Sequence, residues 1–414
     1  MSRHSYSSIQ IKSCRSCSSK KLKTVLDLGE LYLSDFTRSK DRSRLKKYPL
    51  TLVLCSNCNL VQLKHTTPPE ELYNQRYGYR SGINTTMREE LKDIVTKSQS
   101  ISKLKKGELV IDIGANDGTL LSFYKNSITR VGFEPVRKFA KECRKHADIV
   151  INDYFGVKKV KKNLRKAKII TAISMFYDLN NPNNFLKDVS SLIDDNGVFV
   201  IQQNYLVEML KQNGFDNIVH EHLEYYSLAS LEHLLINNGF RVFDVELSEI
   251  NGGSIRTYIC KAQAKYKDSK RLGALKSAEK DLKLDRLAVY NKFAKNVKAR
   301  RREIRKYMHN ELRMGRRVFV YGASTRGNTL LQYCGLDSSL IAKAVERNPE
   351  KWGKYITSVG IPIISEEKGR SENPENMLVL PWFFKEEFLK REEDYIKNGG
   401  KLIFPLPKVQ IVSL

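Results

Sequence analysis

The sequence predicts an α/β protein in which two Rossmann-like sheets follow a small N-terminal module stapled by four cysteines. Three observations carry this expectation. Two C-x-x-C pairs, CRSC at 14–17 and CSNC at 55–58, hold four of the seven cysteines. A strand-like run that breaks into a glycine turn, ELVIDIGANDGTLL, begins at residue 108, and a second, RVFVYGASTRGNTLLQ, begins at residue 317. At 414 residues the chain exceeds one ordinary core, so its length fits two large domains and a smaller unit.

The two C-x-x-C pairs are separated by 37 residues. Cys14, Cys17, Cys55 and Cys58 can supply four thiolates to one zinc ion, and a short segment with little core gains its fold from that bond. Redox pairs or unrelated thiols are the plainer readings, but neither explains the symmetric placement. Four thiolates close the coordination shell, so the metal is structural. Cys143, Cys260 and Cys334 read as buried small apolar residues.

In the first glycine turn an apolar strand, Leu109 to Ile113, leads through Gly114 and Gly118 to a helix expected near Thr119 to Leu121. The middle glycine of a dinucleotide fingerprint is absent, since Asn116 occupies its place. Asp112 at the strand end can meet the ammonium of an amino-acid-bearing cofactor. Glu134 ends the next strand, 22 residues on, where it can accept both ribose hydroxyls. The pattern favours S-adenosylmethionine over NAD, and a tight structural turn is the remaining reading. Asp153, Ser174 and Gln203 follow later strands at the same carboxyl edge, where open parallel sheets gather ligands.

Beyond the fifth strand stands IVHEHLEYYS, residues 218–227, with two of the chain's seven histidines flanking Glu221. The H-E-x-x-H spacing that puts two ligands on one helical face is missing. A catalytic cluster therefore ranks first, ahead of structural histidines at a helix start and of a metal site. A histidine beside a carboxylate can take a proton at neutral pH. Tyr225, Tyr226 and the tyrosines of YGYRSG, Tyr77 and Tyr79, offer hydroxyls for an enolate or for sugar hydroxyls, with aromatic packing as their alternative role.

The formal charge is +26, from 72 Lys and Arg against 46 Asp and Glu. Residues 265–310 alone carry sixteen basic and five acidic side chains and read as one or two amphipathic bridging helices. Such charge suits nucleic acid or phosphorylated small molecules. No aromatic-basic interleaving supports the former, so nucleic acid is not an expected partner. In the second glycine turn Ser324, Thr325, Arg326 and Asn328 can hold a phosphate at a helix start, with Arg347 nearby. No apolar run is long enough for a membrane span and the first residues lack an apolar signal core, so a cytoplasmic protein is expected. The expected units are 1–70, a zinc module; 71–264, the cofactor domain with its cap; 265–310, a basic connector; and 311–414, a substrate-binding domain. A monomer is expected.

Taken together, CRSC, CSNC, YGYRSG, DIGANDGTLL, FDNIVHEHLEYYSL, INGGSIR, YGASTRGNTLLQ, ERNPEKWG and VLPWFF resemble, in this order, the deoxysugar C-methyltransferases. The resemblance covers nearly the whole chain. It implies a zinc module, a class I S-adenosylmethionine-dependent methyltransferase domain and a C-terminal Rossmann-like domain. It also implies methylation of a nucleotide-linked keto-deoxysugar through an enolate, with His222 as base, Glu221 and His220 beside it, and Tyr77 and Tyr79 assisting. Ser254 and Arg256 of INGGSIR join the substrate-binding set. Val219 stands where the family's antibiotic-sugar enzymes carry tyrosine, and Asn251, taken here as a catalytic-site residue, where many carry histidine. O- or N-methylation of a phosphorylated sugar, or a zinc-containing RNA-binding protein, are the alternatives.

Overall fold

The computed structural model describes residues 8–43, 45–73, 78, 80–160 and 164–414. The N-terminal module is a meander of β1 (Leu22–Tyr32), β3 (Lys47–Cys55) and β4 (Val61–Leu63), with β2 (Phe36–Thr37) leaving it between β1 and β3. Its apolar face, Val25, Leu26, Leu28, Leu50, Leu52 and Leu54, is buried. CRSC precedes β1 and CSNC closes β3, so the antiparallel pairing of Leu22 with Cys55 brings the two knuckles together.

The central domain opens with α1 (Thr85–Ser102), N-capped by Asn84, whose side chain accepts the Met87 N–H. Strands β5 (Leu109–Ile113), β6 (Thr129–Phe133), β7 (Ile149–Ile151), β8 (Ala167–Ile173) and β9 (Ile193–Asn204) are parallel. Helices α2 (Arg137–Cys143) and α3 (Pro182–Leu192) connect them on the faces. After the two-residue strand β10 (Glu224–Tyr225) and helix α4 (Leu228–Ile236), β11 (Phe240–Ser248) and β12 (Ser254–Lys261) complete the sheet. Its order is β11-β12-β9-β8-β5-β6-β7, with β12 antiparallel to both neighbours. β5 and β8 flank the point where the connections reverse direction, which places a ligand site at their carboxyl ends.

The expected helix at Thr119 to Leu121 does not form; only a single 3₁₀ turn, Leu121–Phe123, follows the glycines. Asp117 takes the backbone N–H and the hydroxyl of Thr119, at 3.2 and 2.6 Å, and this side-chain turn competes with helical hydrogen bonding.

Two helices, α5 (Lys270–Asp281) and α6 (Leu287–Arg313), form the connector. It is a packed element, because α6 buries Tyr290, Phe293, Val297, Ile304 and Met308 at helical spacing. The C-terminal domain contains β13 (Val318–Tyr321), α7 (Thr325–Cys334), β14 (Lys343–Glu346), β15 (Tyr355–Ile356), β16 (Ile361–Ser365), β17 (Asn376–Val379), β18 (Lys401–Phe404) and β19 (Gln410–Val412). The sheet order is β19-β18-β17-β13-β14-β16-β15-β2.

The last strand in that order belongs to the N-terminal module: β2 pairs with β15 through Thr37 and Tyr355. In return, β10 of the cofactor domain pairs with β4 of the module. One apolar cluster joins Leu26 and Leu52 to Phe293, Val297 and Leu331. The chain therefore crosses the cuts expected near 70 and 310. Among the described residues no helix is long and apolar enough to cross a membrane.

Candidate active site and metal centre

A cavity opens at the carboxyl ends of β5, β6, β7 and β8. Asp112, Gly114, Asn116, Glu134, Asp153 and Ser174, all expected to bind cofactor, line it together with Met87, Leu91, Phe133, Val136, Phe155 and Met175. Gly114 (φ +74°) turns the chain away from β5, and a Cβ there would meet Met175 Cγ at 3.1 Å. Asn116 sits at φ +50°, a conformation its short amide tolerates. Ser174 holds φ +55° without that help, strain of the kind that collects at ligand sites.

Glu134 shapes the loop. Its carboxylate accepts the N–H groups of Asn116 at 2.9 Å and Val136 at 2.8 Å. Burial pushes its pKa up and the two amides partly offset this. Asp112 accepts the Thr171 hydroxyl at 2.6 Å, and burial pushes its carboxyl up to about 7. Two buried acids on either side of a glycine loop, with an apolar slot beside them, fit a ligand carrying an ammonium, a ribose diol and an adenine. Ser81, at the end of YGYRSG, donates its N–H to Asn116 Oδ1 at 3.0 Å and lines the same cavity. Tyr77 and Tyr79 lie outside the described residues.

Two expected ligands of the cofactor are displaced from the cavity. Gly118 (φ +82°) serves packing instead, since a Cβ there would come within 2.9 Å of Cys143 Cα in α2. Gln203 is buried within β9, opposite Ile255, and faces the interior. The sequence reading also missed Tyr73 and Asp178. Tyr73 donates its hydroxyl to Asp178 Oδ2 at 2.7 Å, and both line the cavity. Asp178 had a signal: it is the acid of MFYDLNNP, directly after the fourth parallel strand.

The His-Glu-His stretch lies one residue layer behind the cavity. Tyr177 packs edge-on against His222, ring centroids 4.3 Å apart, while the next residue, Asp178, reaches the cavity. His222 Nδ1 donates to the Asn217 carbonyl at 3.0 Å, which leaves the lone pair on Nε2. Burial pulls His222 down to about 3, and the Arg326 charge adds to this; burial pushes Glu221 up to about 7. His220 turns the other way, its Nε2 donating to the Tyr48 carbonyl of β3 at 3.0 Å. It is a tie to the N-terminal sheet, and burial lowers it to about 4.

Several expected substrate contacts are structural in this fold. Tyr225 and Tyr226 are 3% and 1% exposed, because each packs into one of the large apolar clusters. Ser254 donates to the Ile250 carbonyl at 2.9 Å. Arg256 is consumed by Glu90, Asp93 and Glu246 at 2.7–3.0 Å, away from the cavity. Asn251 (φ +57°) gives its carbonyl to Arg326.

At the C-terminal glycine turn, Ser324 caps α7 by accepting the Gly327 N–H. Arg326 pairs with Asp216 at 2.9 Å and lies over the Phe383 ring. Asp216 also accepts Trp382 Nε1 at 3.1 Å and is fully buried, a junction residue with no local sequence signal because its partners are more than a hundred residues away. Thr325 opens α7, Asn328 meets Ser358, and Arg347 lies near Glu366 and Glu387 at 3.6 and 3.5 Å.

The four N-terminal cysteines converge. Their sulfurs all lie within 4.8 Å of one another, with Cys14–Cys58 and Cys17–Cys55 both at 3.6 Å. A tetrahedral site with Zn–S near 2.3 Å separates sulfurs by about 3.8 Å, so the donor set fits.

Comparison with known proteins agrees with this geometry. Residues 14–73 match a model described as "Putative zinc binding domain", residues 83–245 a methyltransferase domain, and residues 249–407 the C-methyltransferase C-terminal domain. The C-methyltransferase NovU of Streptomyces niveus is 28% identical over 409 residues, 97% of each chain. Among solved structures, the plantazolicin methyltransferase BpumL in complex with SAH aligns at 12% identity over 42% of this chain and 82% of its own, TM-score 0.34. A SAM-dependent methyltransferase from Clostridium acetobutylicum aligns at 10% over 42% and 92%, also with TM-score 0.34. From its zinc-type knuckles to its last sheet, the chain is an S-adenosylmethionine-dependent methyltransferase related to C-methyltransferases, and it joins in order stretches that match a zinc-binding domain, a methyltransferase domain and a C-methyltransferase C-terminal domain.

Proposed function

We propose that the protein methylates a carbon of a nucleotide-linked keto-deoxysugar, with S-adenosylmethionine as donor and a structural zinc in the four-cysteine site. The bound donor supplies an electrophilic methyl on a sulfonium. Asp112 takes its ammonium and Glu134 its ribose hydroxyls. The observation that carries the reading is the turn Phe176–Asp178, which lines the donor cavity through Asp178 and packs against His222 through Tyr177.

His222 is the proposed base. Its fixed tautomer keeps Nε2 able to receive the proton from the carbon beside the sugar carbonyl, and Glu221 stabilises the resulting imidazolium. The enolate carbon then needs only alignment with the methyl. The start of α7, with Ser324, Thr325 and Arg326, and Arg347 beyond it, receives the diphosphate. The resemblance to NovU and the closeness of the Arg326 charge to His222 support this assignment. The protein is taken to act as a monomer, and a four-thiolate site suits the reducing cytoplasm.

The test is incubation with labelled donor and a panel of nucleotide-linked keto and non-keto sugars, the new methyl being located by NMR. A C-methyl on a keto sugar is expected; an O- or N-methyl on a non-keto sugar overturns the enolate route. His222→Gln should lower turnover by roughly 10²–10⁴-fold with SAH affinity intact, and full turnover in this variant removes His222 from the role of base.

A further inference from the structure

The segment that carries His220, Glu221 and His222 is held largely by the metal module. His220 Nε2 meets the Tyr48 carbonyl of β3, and Leu63 N–H donates to the Leu223 carbonyl at 2.8 Å. β10 then continues the module's sheet, with Glu224 opposite Gln62 and Tyr225 opposite Val61. The cofactor domain contributes a tie of its own, the Leu223 N–H to the Tyr177 carbonyl at 2.9 Å.

Between the metal knuckle and this strand stand the side chains of Arg15 and Gln62. Arg15, inside CRSC, is 7% exposed. Its guanidinium donates to the Leu63 carbonyl at 2.7 Å, Thr66 Oγ1 at 2.8 Å and Gln62 Oε1 at 3.3 Å, and its backbone N–H also reaches Gln62 Oε1 at 3.1 Å. Gln62 in turn donates to Cys14 Sγ at 3.1 Å. Asn183 of α3 grips the carbonyls of Arg15 and Ser16, both at 2.9 Å, so the knuckle is anchored to the cofactor domain as well. Across the sheet, the buried Glu224 carboxyl faces the Arg15 charge, which draws its raised pKa back down. A rigid fork with several donors fits such a junction better than an ammonium would.

We propose that Arg15 is a positioning residue through which metal binding sets the place of the His-Glu-His segment, so that the zinc module governs methyl transfer without touching the donor. The inference rests on the assignment of His222 and Glu221 to the chemistry. Its mechanical half, metal to Arg15 to β4 to β10, can be measured without any acceptor. Among the described residues none of 8–66 lines the donor cavity, so loss of the metal should separate the two functions.

The experiment compares the intact chain, the chain stripped by a chelator and then reloaded with Zn²⁺ alone, and Arg15→Met and Arg15→Lys. Three quantities are read: SAH affinity by calorimetry, hydrogen exchange of the peptide containing residues 218–226, and the rate at which diethylpyrocarbonate modifies His220 and His222. Stripping and Arg15→Met should raise exchange and histidine modification about tenfold or more while SAH affinity stays within about twofold. Zn²⁺ should restore protection in the stripped wild type, and Arg15→Lys should recover only part of it. If Arg15→Met fails to fold, the stripped and reloaded wild type decides alone. Protection of 218–226 that survives both metal loss and Arg15→Met overturns the proposal, as does loss of SAH affinity in parallel with exposure. Full turnover by His222→Gln with metal-dependent protection intact would instead refute the base assignment and leave the mechanical link standing.

Discussion

The two parallel sheets use the same local device and reach different ends. In the central sheet Glu134, at the end of the second strand, accepts an N–H from the glycine loop and one from its own turn. In the C-terminal sheet Glu346 does the same for Ala323 at 2.8 Å and Asn348 at 3.0 Å. Aligning Gly114 with Gly322 sets Asp112 against Val320, so the second sheet carries an apolar side chain where the first carries an acid. Lys351 occupies the position beside its loop, donating to the Ala323 carbonyl at 2.6 Å. The strand, glycine turn and acid are thus a way of building a loop; whether the loop serves a cofactor depends on the cavity and on the neighbouring charge.

The largest expected effect separates the two acids. Glu134→Ala should weaken SAH binding by roughly 10–150-fold, the range for charged hydrogen bonds to a diol. Glu346→Ala should leave SAH affinity unchanged and cost about 1–3 kcal/mol of stability, from two N–H groups left without their acceptor. Equal losses of SAH affinity in a calorimetric titration would break the comparison.

Next in size is a pH effect confined to the central sheet. The folded pKa of Asp112, about 7, exceeds the usual carboxylate value, so its contribution to stability is fully present below about pH 4 and is lost as pH rises through 7. Asp112→Asn should therefore be stabilising in the ligand-free protein at pH 8, by on the order of a few kcal/mol, and neutral at pH 4. Donor affinity should fall in the same variant. Thermal melts at the two pH values check the sign, and a stabilisation larger at pH 4 would refute the burial argument.

A smaller contrast involves the glycines. Gly114→Ala should lower donor affinity by about tenfold, because φ +74° and the approach of Met175 both resist a Cβ. Gly322→Ala, at φ +92° with Pro381 Cδ 3.0 Å from the new atom, should cost about 1–2 kcal/mol of stability without affecting SAH.

Much of the cavity at the central sheet's carboxyl edge was legible because its lining is local. Asp112, Gly114, Asn116 and Glu134 lie on consecutive strand ends, where short apolar runs broken by glycine turns reveal the edge. The knuckles were legible because four thiolates at paired spacing suit one tetrahedral ion. The helix expected after Gly118 failed because Asp117 offered the backbone a competing partner, which periodicity does not report. Arg256 was misread for a different reason: its motif resembles a binding strand, but Glu90, Asp93 and Glu246, from two other elements, surround it and use its charge internally.

By itself, then, the sequence determined the cysteine cluster, the two glycine-loop sheets and the acids at the central sheet's carboxyl edge, since each is set by residues close along the chain. Only the tertiary structure decided that β10 joins the metal module's sheet, that β2 closes the C-terminal sheet, and that His222 packs against Tyr177 while His220 turns to Tyr48. Those choices depend on burying surfaces distant along the chain, and short-range pattern carries no record of which distant partner a strand edge or an imidazole will meet.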